Sequence, residues 1–276
     1  MYLITMDQMD QYWANIDAGC KKAVEELNAA GSSIEYIWQA PDVKDDAKQI
    51  EVINNAVAAG AQVILLAANG PDAVTSALQE ATGKGVKIIY VDSPADFPAE
   101  QTLTTDNTAA GKTAGETMIA ALTEKGVTSG KIGVVNVNSS TASVVARETG
   151  FRSAFEGSAF EFLETQYAEG DVARSKDAAT NFVTQGVVGL FGANEGSTTG
   201  VGNAIKEAGG TVIGVGFDNS GAIQELIQDG ALLATMQQNP DKMGYQGMLS
   251  AAKILAGETI PESEKNIDTA VSVLKK

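Results

Sequence analysis

The chain has 276 residues with 44% hydrophobic and 20% charged content, which is typical of a globular protein with a sizeable core. It carries 19 Lys and Arg against 35 Asp and Glu, a formal net charge of −16 without a basic cluster, which argues against a nucleic-acid partner. It has no His and a single Cys, Cys20, which excludes His-dependent nucleophilic and metal sites and an intramolecular disulfide.

Short apolar runs alternate with helical patterns along most of the chain. In chain order the predicted strands are YLIT, IEYIW, QVILLA, KIIYVD, QTLTT, KIGVVNV, FLETQY, VVGLFGA, TVIGVGF and LLATMQ. The first predicted helix has a core-facing stripe at spacings of three and four residues, made of Trp13, Ile16, Cys20, Ala23, Val24 and Leu27. Continuous apolar strands linked by helices predict an α/β fold with parallel sheets covered on both faces.

Two stretches of the chain resemble each other. QVILLAANGPDAVTSALQEATGKGVKIIYVDSP and VVGLFGANEGSTTGVGNAIKEAGGTVIGVGFDNS both run strand, Ala-Asn, helix, Gly-rich turn, strand and Asp. Asn69 therefore matches Asn194, and Asp92 matches Asp218. The repeat predicts two similar α/β lobes instead of one large sheet, with chance convergence of two βαβ units as the alternative.

Polar side chains follow the predicted strands, where ligands of open α/β sheets bind. The candidate ligand-binding residues are Asp10, Tyr12, Trp13, Asn69, Asp92, Ser93, Arg147, Asn194, Asp218 and Gln238. The set contains aromatic, carboxylate, amide and guanidinium groups but no nucleophile with a base. It suits a neutral polyhydroxylated ligand, because each hydroxyl both donates and accepts hydrogen bonds. We expect Tyr12 and Trp13 to form a wall for the apolar face of a sugar ring.

Most of the candidates also have a structural interpretation. Trp13 lies on the apolar helix stripe and fits a core position, and Cys20 is interpreted as a core-facing helix residue. Asp10 and the two matched aspartates fit helix caps, and the two matched asparagines fit turns. Arg147 lies in an amphipathic helix, where a solvated salt bridge is the usual role.

The segment TTDNTAAGKTAG has part of the pattern of a phosphate-binding loop, because it follows a strand and contains Gly111-Lys112-Thr113. Such a loop requires Gly at the position of Asp106, and an acid there would repel phosphate. The sequence therefore predicts no nucleotide site.

Over nearly its whole length the chain resembles the periplasmic-type sugar-binding proteins of ABC importers, of the ribose/galactose kind. The motifs that carry the resemblance are YWANIDAGCKKAVEEL, IIYVDSP, TTDNTAAGKTAGE, ARETGF, GANEGSTTGV, GVGFDNS and LLATMQQNPDKMGYQG. The resemblance implies two Rossmann-like lobes of the type I periplasmic binding fold, joined by a three-segment hinge that closes on a sugar in the cleft between them. The implied lobes are 1–105 plus 239–266, and 106–238 plus 267–276.

Carried over position by position, the resemblance makes Tyr12 and Trp13 ring walls and assigns hydrogen bonds to Asp10, Asp92, Arg147, Asn194, Asp218 and Gln238. The chain departs from the ribose-binding pattern at four places. Ser93 stands where those proteins carry Arg, and Asp10 and Ala67 stand where they carry Asn. Their second-lobe aromatic falls near Gly170, where Tyr167 is the nearby substitute. These departures leave the identity of the sugar open.

The resemblance implies a monomeric, non-enzymatic solute-binding protein without cofactor or metal, which delivers a monosaccharide to a membrane permease. The alternatives are a receptor for a furanosyl autoinducer-2-type signal, the effector-binding core of a LacI-type regulator, and a sugar-acting enzyme using Asp10 and Asp92. No signal segment is visible because Tyr2 already opens a strand. That fits a cytoplasmic protein or a mature exported chain, and the resemblance favours an extracytoplasmic protein, periplasmic or lipid-anchored.

Overall fold

The structure, a computed structural model, describes residues 1–276. It divides into two compact units: the first comprises 1–105, 140–143 and 239–270, and the second comprises 106–139, 144–238 and 271–276. Two details differ from the predicted lobes. Residues 140–143 group with the first unit, and the last passage into the second unit follows residue 270 instead of 266. The later passage arises because residues 266–268 form an edge strand on the first unit's sheet.

The strands and helices alternate along most of the chain. The strands are β1 (Tyr2–Ile4), β2 (Ile37–Gln39), β3 (Val63–Leu66), β4 (Lys87–Val91), β5 (Gln101–Thr104), β6 (Ser129–Asn136), β7 (Ala159–Phe162), β8 (Gln166–Tyr167), β9 (Val187–Gly192), β10 (Ile213–Phe217), β11 (Ala234–Gln237), β12 (Asn266–Asp268) and β13 (Ser272–Lys275). The α-helices are α1 (Gln11–Ala29), α2 (Asp46–Ala58), α3 (Thr75–Gly83), α4 (Asn107–Glu124), α5 (Ala142–Ser153), α6 (Val172–Thr184), α7 (Glu195–Glu207), α8 (Gly221–Gln228) and α9 (Pro240–Leu255).

Each unit contains one sheet, and the two sheets have equivalent strand orders. The first sheet has the order β12-β5-β4-β3-β1-β2 and is parallel throughout. The second has the order β13-β11-β10-β9-β6-β7, with β8 also pairing with β6, and only β13 is antiparallel. In the first sheet β2 and β3 lie on opposite sides of β1, and in the second β7 and β9 lie on opposite sides of β6. This reversal of strand order creates a topological switch point at the carboxyl ends of β1 and β6. The predicted α/β fold with two parallel-sheet lobes is confirmed.

The cores explain why the central strands are apolar at every position. Ile64 and Leu66 of β3 pack into one hydrophobic cluster, whereas Val63 and Leu65 of the same strand pack into another. Successive side chains of a strand point to opposite faces of its sheet. The first unit therefore has a helix-covered core on each face of its sheet.

Three short strands differ from the sequence prediction. The run FLETQY is split into the end of β7 and the two-residue β8 instead of forming one strand. The edge strands β12 and β13 have no counterpart among the predicted strands, because NID and SVLK are short and mostly exposed segments. Their strand conformation comes from pairing with β5 and β11 respectively.

The predicted apolar stripe of α1 is buried against α9. Cys20 and Ile16 are fully buried, whereas Val24 and Leu27 at the far end of the stripe are half-buried. The two helices approach so closely that a Cβ on Gly19 would lie 2.0 Å from the carbonyl oxygen of Asp241. Glycine is therefore needed at this helix crossing, and Cys20 is confirmed as a core-facing residue.

We expect the Cys20 thiol to resist alkylation in the folded protein. Burial raises the pKa of Cys20 from 9.0 to about 12, so the folded protein keeps the thiol neutral where the unfolded chain forms thiolate. The stability from this group is present below about pH 9 and is lost as the pH rises through the folded pKa. Iodoacetamide labelling at pH 8 should be negligible until urea unfolds the protein, and rapid labelling of the native protein would contradict the buried placement.

Candidate functional site

The predicted ligand-binding residues follow neighbouring strands within each unit. In the first unit β1, β3 and β4 are adjacent, and the chain beyond them carries Asp10, Tyr12, Trp13, Asn69, Asp92 and Ser93. In the second unit β9, β10 and β11 are adjacent, and Asn194, Asp218 and Gln238 follow them in this order. The remaining candidate, Arg147, lies on α5, which follows β6. The structure thus brings the candidates to one sheet edge in each unit.

In the first unit Tyr12 and Asp92 are joined directly. The Tyr12 hydroxyl donates to Oδ1 of Asp92 at 2.8 Å, and both residues are buried. Asp92 has φ 64, a left-handed conformation that is uncommon outside glycine but tolerated by Asp. The Asp92 N–H donates to Leu103 O at 2.9 Å, and the Thr104 hydroxyl donates to Asp92 O at 2.7 Å. These bonds hold the carboxylate at the end of β4.

Trp13 combines a core position with an unsatisfied polar atom. It is 3% exposed and packs in the same hydrophobic cluster as Ile16 and Cys20. Its ring meets Tyr12 edge-on, with centroids 5.1 Å apart and an interplanar angle of 80°. The indole Nε1 is buried and has no hydrogen-bond partner. The structure therefore supports the core interpretation of Trp13 and also leaves its indole N–H without a hydrogen-bond partner.

Lys44, which the sequence analysis missed, forms a buried ion cluster with two carboxylates. Its Nζ contacts Oδ2 of Asp7 and lies 3.1 Å from Oδ2 of Asp10, and the Lys44 side chain is 4% exposed. Burial by itself lowers the pKa of Lys44, but the neighbouring Asp10 and Asp7 carboxylates raise the pKa above its ordinary value. Asp10 occupies the N-cap position of α1, yet its side chain makes no capping hydrogen bond. The capping alternative for Asp10 is therefore replaced by the ion pair with Lys44.

Asn69 is held by the first turns of α2. Its Nδ2 donates to Oδ1 of Asp46 at 2.5 Å, and its N–H donates to Oε1 of Gln49 at 2.9 Å. Gln49 in turn donates through Nε2 to the carbonyl oxygens of Ala67 at 2.8 Å and Thr5 at 3.2 Å. The Oδ1 of Asn69 is buried and has no hydrogen-bond partner. Asn69 is thus more than a solvated turn residue, because both its backbone and its amide are oriented.

Ser93 has a fixed backbone and an unsatisfied hydroxyl. Its N–H donates to Val91 O at 2.8 Å, and its carbonyl accepts from Ala68 N at 2.9 Å, whereas its buried Oγ has no partner. Buried polar groups in proteins nearly always find a hydrogen-bond partner. Three candidate residues of the first unit thus have a buried polar atom without a hydrogen-bond partner: the N–H of Trp13, the amide oxygen of Asn69 and the hydroxyl of Ser93.

In the second unit Arg147 is buried instead of lying in a solvated salt bridge. It is 2% exposed, and its guanidinium lies over the ring of Phe217, with 4.4 Å from Cζ to the centroid. Its Nε donates to Oδ1 of Asn107 at 2.8 Å, and its Nη1 donates to Ala193 O at 3.0 Å. These contacts orient the planar donor fork at the end of the sheet. The solvated alternative for Arg147 is wrong.

Asp218 repeats the geometry of Asp92 in the second unit. It has φ 74, its N–H donates to Met236 O at 2.9 Å, and the Thr235 hydroxyl donates to its carbonyl oxygen at 2.8 Å. Its Oδ1 accepts from Nε2 of Gln238 at 2.6 Å, in the role that the Tyr12 hydroxyl has toward Asp92. The capping alternative for the two aspartates has no support, because both stand in this same left-handed position after a strand.

Asn194 caps a helix instead of lying in an ordinary turn. Its Oδ1 accepts from the N–H of Ser197 at 3.0 Å at the start of α7. Asn69 has no such bond, so the two matched asparagines differ in their hydrogen bonding. Tyr167 lies in β8 and is 52% exposed, so within the second unit it is not packed as an internal ring.

The arrangement can orient hydroxyl groups and an apolar ring. No group of three His, Cys, Asp or Glu side chains is placed to hold a metal ion. The segment proposed and rejected as a phosphate loop is helical: Asp106 caps α4 through the Ala109 N–H at 2.9 Å. A Cβ on Gly111 would lie 2.0 Å from Arg147 O, so this glycine permits helix packing.

Sequence reasoning missed four residues that orient the candidates. They are Lys44, Asp46, Gln49 and Asn107. The first three lie in the charged segment KDDAKQ, which has the composition of a solvated helix start. Asn107 lies within TTDNTAAGK, which the sequence analysis considered only for the rejected phosphate-binding loop and for the resemblance. No local pattern distinguishes them from surface residues, because their partners are distant in the chain.

The chain is similar to known solute-binding proteins along most of its length. The sequence profile described as periplasmic binding protein domain matches residues 1–259. The ribose import binding protein RbsB of Haemophilus influenzae is 27% identical over 264 residues, covering 94% of this chain and 86% of that protein. None of the helices has the length and apolar character needed to cross a lipid bilayer.

Two solved structures of ABC transporter solute-binding proteins superpose closely on this fold. One, from Agrobacterium vitis with bound D-fucose, is 30% identical with a TM-score of 0.91, covering 100% of this chain and 94% of that one. The other, from Agrobacterium radiobacter in complex with D-arabinose, is 27% identical with a TM-score of 0.92, covering 100% and 93%.

Proposed function

This chain belongs to the periplasmic binding protein family, and on that premise we propose that it captures a monosaccharide, a pentose or hexose, for the permease of an ABC importer. The family resemblance stated from the sequence is confirmed, and the chain is a binding protein and not an enzyme. The sugar, the permease partnership and the closing motion are the proposal. It includes a monomeric, extracytoplasmic protein that does not bind nucleic acid.

One observation carries the proposal. Trp13 Nε1, Asn69 Oδ1 and Ser93 Oγ are buried without hydrogen-bond partners, and they follow adjacent strands of the first sheet. A buried unmatched polar group costs about 1–3 kcal/mol, so a ligand that satisfies such groups gains affinity. Sugar hydroxyls satisfy both donors and acceptors, and the adjoining Tyr12 ring provides apolar carbon.

The relatives support a monosaccharide without fixing which one. The first relative is named for ribose import, and the two solved structures contain bound D-fucose and D-arabinose. These sugars differ in ring substituents but share several adjacent hydroxyls. Ser93 and Asp10 depart from the ribose-binding pattern, so we propose the class and leave the sugar to experiment.

The proposal includes closure of the two units on one sugar. In this mechanism the residues of both units contact the same molecule, and binding stabilises a closed form that the permease recognises. Closure removes water from each hydroxyl, so every lost water contact must be replaced by a protein partner. That requirement would discriminate between epimers.

A thermal-shift screen tests the proposed ligand class. The protein is melted with D-ribose, D-allose, D-arabinose, D-fucose, D-tagatose, D-galactose and D-xylose, each at millimolar concentration. A ligand that binds only the folded protein raises Tm. At a ligand concentration of 100 times Kd, it increases the free energy of unfolding by about 2.7 kcal/mol. Isothermal titration calorimetry then measures affinity, and recovery of unaltered sugar checks for turnover. No shift with any sugar, together with a shift by autoinducer-2, would favour the signal-receptor alternative.

We expect sugar affinity to change by less than about twofold between pH 6 and pH 8. The chain has no His, which is the side chain that ordinarily titrates in this range. The buried Lys44 stays charged there, because the Asp10 and Asp7 carboxylates hold its pKa above the ordinary value. Calorimetry in buffers of constant ionic strength measures the profile, and a tenfold change would point to a titrating group in the site.

A further inference from the structure

The segment from Lys44 to Gln49 contacts candidate residues that follow two strands of the first unit, β1 and β3. Lys44 contacts Asp10, which precedes α1, and Asp46 and Gln49 contact Asn69, which follows β3. These contacts join residues that are 20 or more positions apart in the chain. The segment is therefore placed to decide how the candidate side chains after β1 and β3 are oriented.

Lys44 lies between two carboxylates in an ordered loop. Asp7 accepts from the Met9 N–H through Oδ1 at 2.8 Å and contacts Lys44 through Oδ2. The Thr5 hydroxyl donates to the Asp7 carbonyl oxygen at 2.7 Å. Asp7 is thus held by the loop, Lys44 is held by Asp7, and Asp10 is held by Lys44. This series of contacts ends at Asp10, which is a predicted ligand-binding residue.

Stability alone is a weak reason for such a cluster. Removing ions from water costs several kcal/mol per ion, and replacing a buried ion pair by apolar groups is often neutral or stabilising. Lys44 and Asp7 have 4% and 3% exposed side chains, so this cost applies to both. A cluster of this kind is therefore better explained if it orients a group that acts on a ligand.

We propose that Lys44 is a positioning residue for sugar specificity, which holds the Asp10 carboxylate in the orientation that accepts a hydrogen bond from one particular sugar hydroxyl. The inference rests on the proposed function, because it needs a sugar at this site. An ionised carboxylate has about four acceptor positions, so bonding to Lys44 leaves capacity for a hydroxyl. Lys44 acts through Asp10 and is not assigned a contact with the sugar.

The same segment prepares the second acceptor. Asp46 accepts a hydrogen bond from Nδ2 of Asn69, and this bond fixes the orientation of the amide. The Oδ1 of Asn69, which has no partner, is then the atom that would accept from a sugar hydroxyl. Lys44 and Asp46 thus support two acceptors at adjacent strand ends. Two fixed acceptors favour a sugar whose hydroxyls match both positions, which is a requirement on stereochemistry.

The test measures the affinities of Lys44→Met, Lys44→Arg and wild type for D-ribose, D-fucose and D-arabinose and for the monodeoxy derivatives of each. Wild type should bind one monodeoxy derivative about 10- to 100-fold more weakly than the parent sugar, namely the derivative that lacks the hydroxyl donating to Asp10. This loss is expected for a hydrogen bond to a charged group. Lys44→Met should bind the parent sugar at least about tenfold more weakly than wild type does. It should also bind the parent sugar and that monodeoxy derivative with similar affinities. Lys44→Arg, which keeps the charge, should restore part of the discrimination.

Two further variants control for folding. Lys48→Met changes an exposed lysine of α2 that pairs with Asp42 at 2.6 Å, and it should bind as wild type does. Asp7→Asn combined with Lys44→Met removes one charge of each sign, so it keeps the charge balance while removing the contact of Lys44 with Asp10. It should show the same lost discrimination as Lys44→Met.

The outcomes separate this inference from the proposed function. If wild type binds none of the sugars, the proposed function fails. If wild type discriminates and the Lys44 variants keep its pattern of deoxy penalties, the positioning role is wrong. An equal loss for the parent sugar and every derivative also overturns it, because that pattern reports a general structural effect.

Discussion

Replacing Arg147 with Ala is expected to lower sugar affinity by at least about 100-fold, or about 2.7 kcal/mol, while the protein still folds. Arg147 is buried at the end of the second sheet, where Asn107, Ala193 and Phe217 orient its guanidinium. A fixed guanidinium offers several donors to neighbouring sugar oxygens, and truncation removes all of them. Calorimetry with the best sugar of the screen measures the loss.

The same helix provides a matched control for this variant. Arg152 of α5 also lies 4.4 Å over an aromatic ring, that of Phe162, and it pairs with Glu148 at 2.8 Å. Its side chain is 34% exposed, so Arg152→Ala should cost no more than about 1 kcal/mol of stability and leave affinity unchanged. Arg147→Lys keeps the positive charge but lacks the planar set of guanidinium donors. Its sugar affinity should lie between those of wild type and Arg147→Ala. Unchanged affinity in Arg147→Ala would remove Arg147 from the site.

Gly111→Ala is expected to reduce the free energy of unfolding by about 3 kcal/mol or more. A Cβ at this position of α4 would lie 2.0 Å from the carbonyl oxygen of Arg147, and backbone atoms of α5 cannot move aside as a flexible side chain can. The reverse contact is equally close, because a Cβ on Gly150 would lie 2.0 Å from Thr108 O. Urea unfolding followed by circular dichroism measures the change.

Gly83→Ala is the control for the glycine variant. Gly83 is the last residue of α3, and a Cβ there meets nothing within 4 Å. Alanine in such an open helical position should leave stability unchanged or raise it by up to about 1 kcal/mol. Since α5 carries Arg147, any folded Gly111→Ala protein should also bind sugar more weakly. A stable Gly111→Ala with full affinity would contradict the close packing of α4 on α5.

The amino-acid sequence was sufficient to predict the fold class and where the candidate residues follow the strands. Both depend on local patterns: β3 is apolar at every position because its two faces enter two cores, and α1 has an apolar stripe because one side meets α9. Parallel strands end at a common edge, so residues following β3 and β4 are predicted neighbours without coordinates. The matched Asp92 and Asp218 could be identified for the same reason.

Sequence patterns did not predict the partner of each candidate, because partners far apart in the chain meet only when the elements pack. Lys44 lies in a charged segment that is typical of solvent, and its burial between Asp7 and Asp10 depends on how α2 packs beside β1. Arg147 is buried because α5 packs against α4 and places the guanidinium over Phe217. The edge strand β12 exists because Asn266–Asp268 pair with β5. Local composition determines which elements form, whereas desolvation and long-range contacts determine which of their charges are held inside.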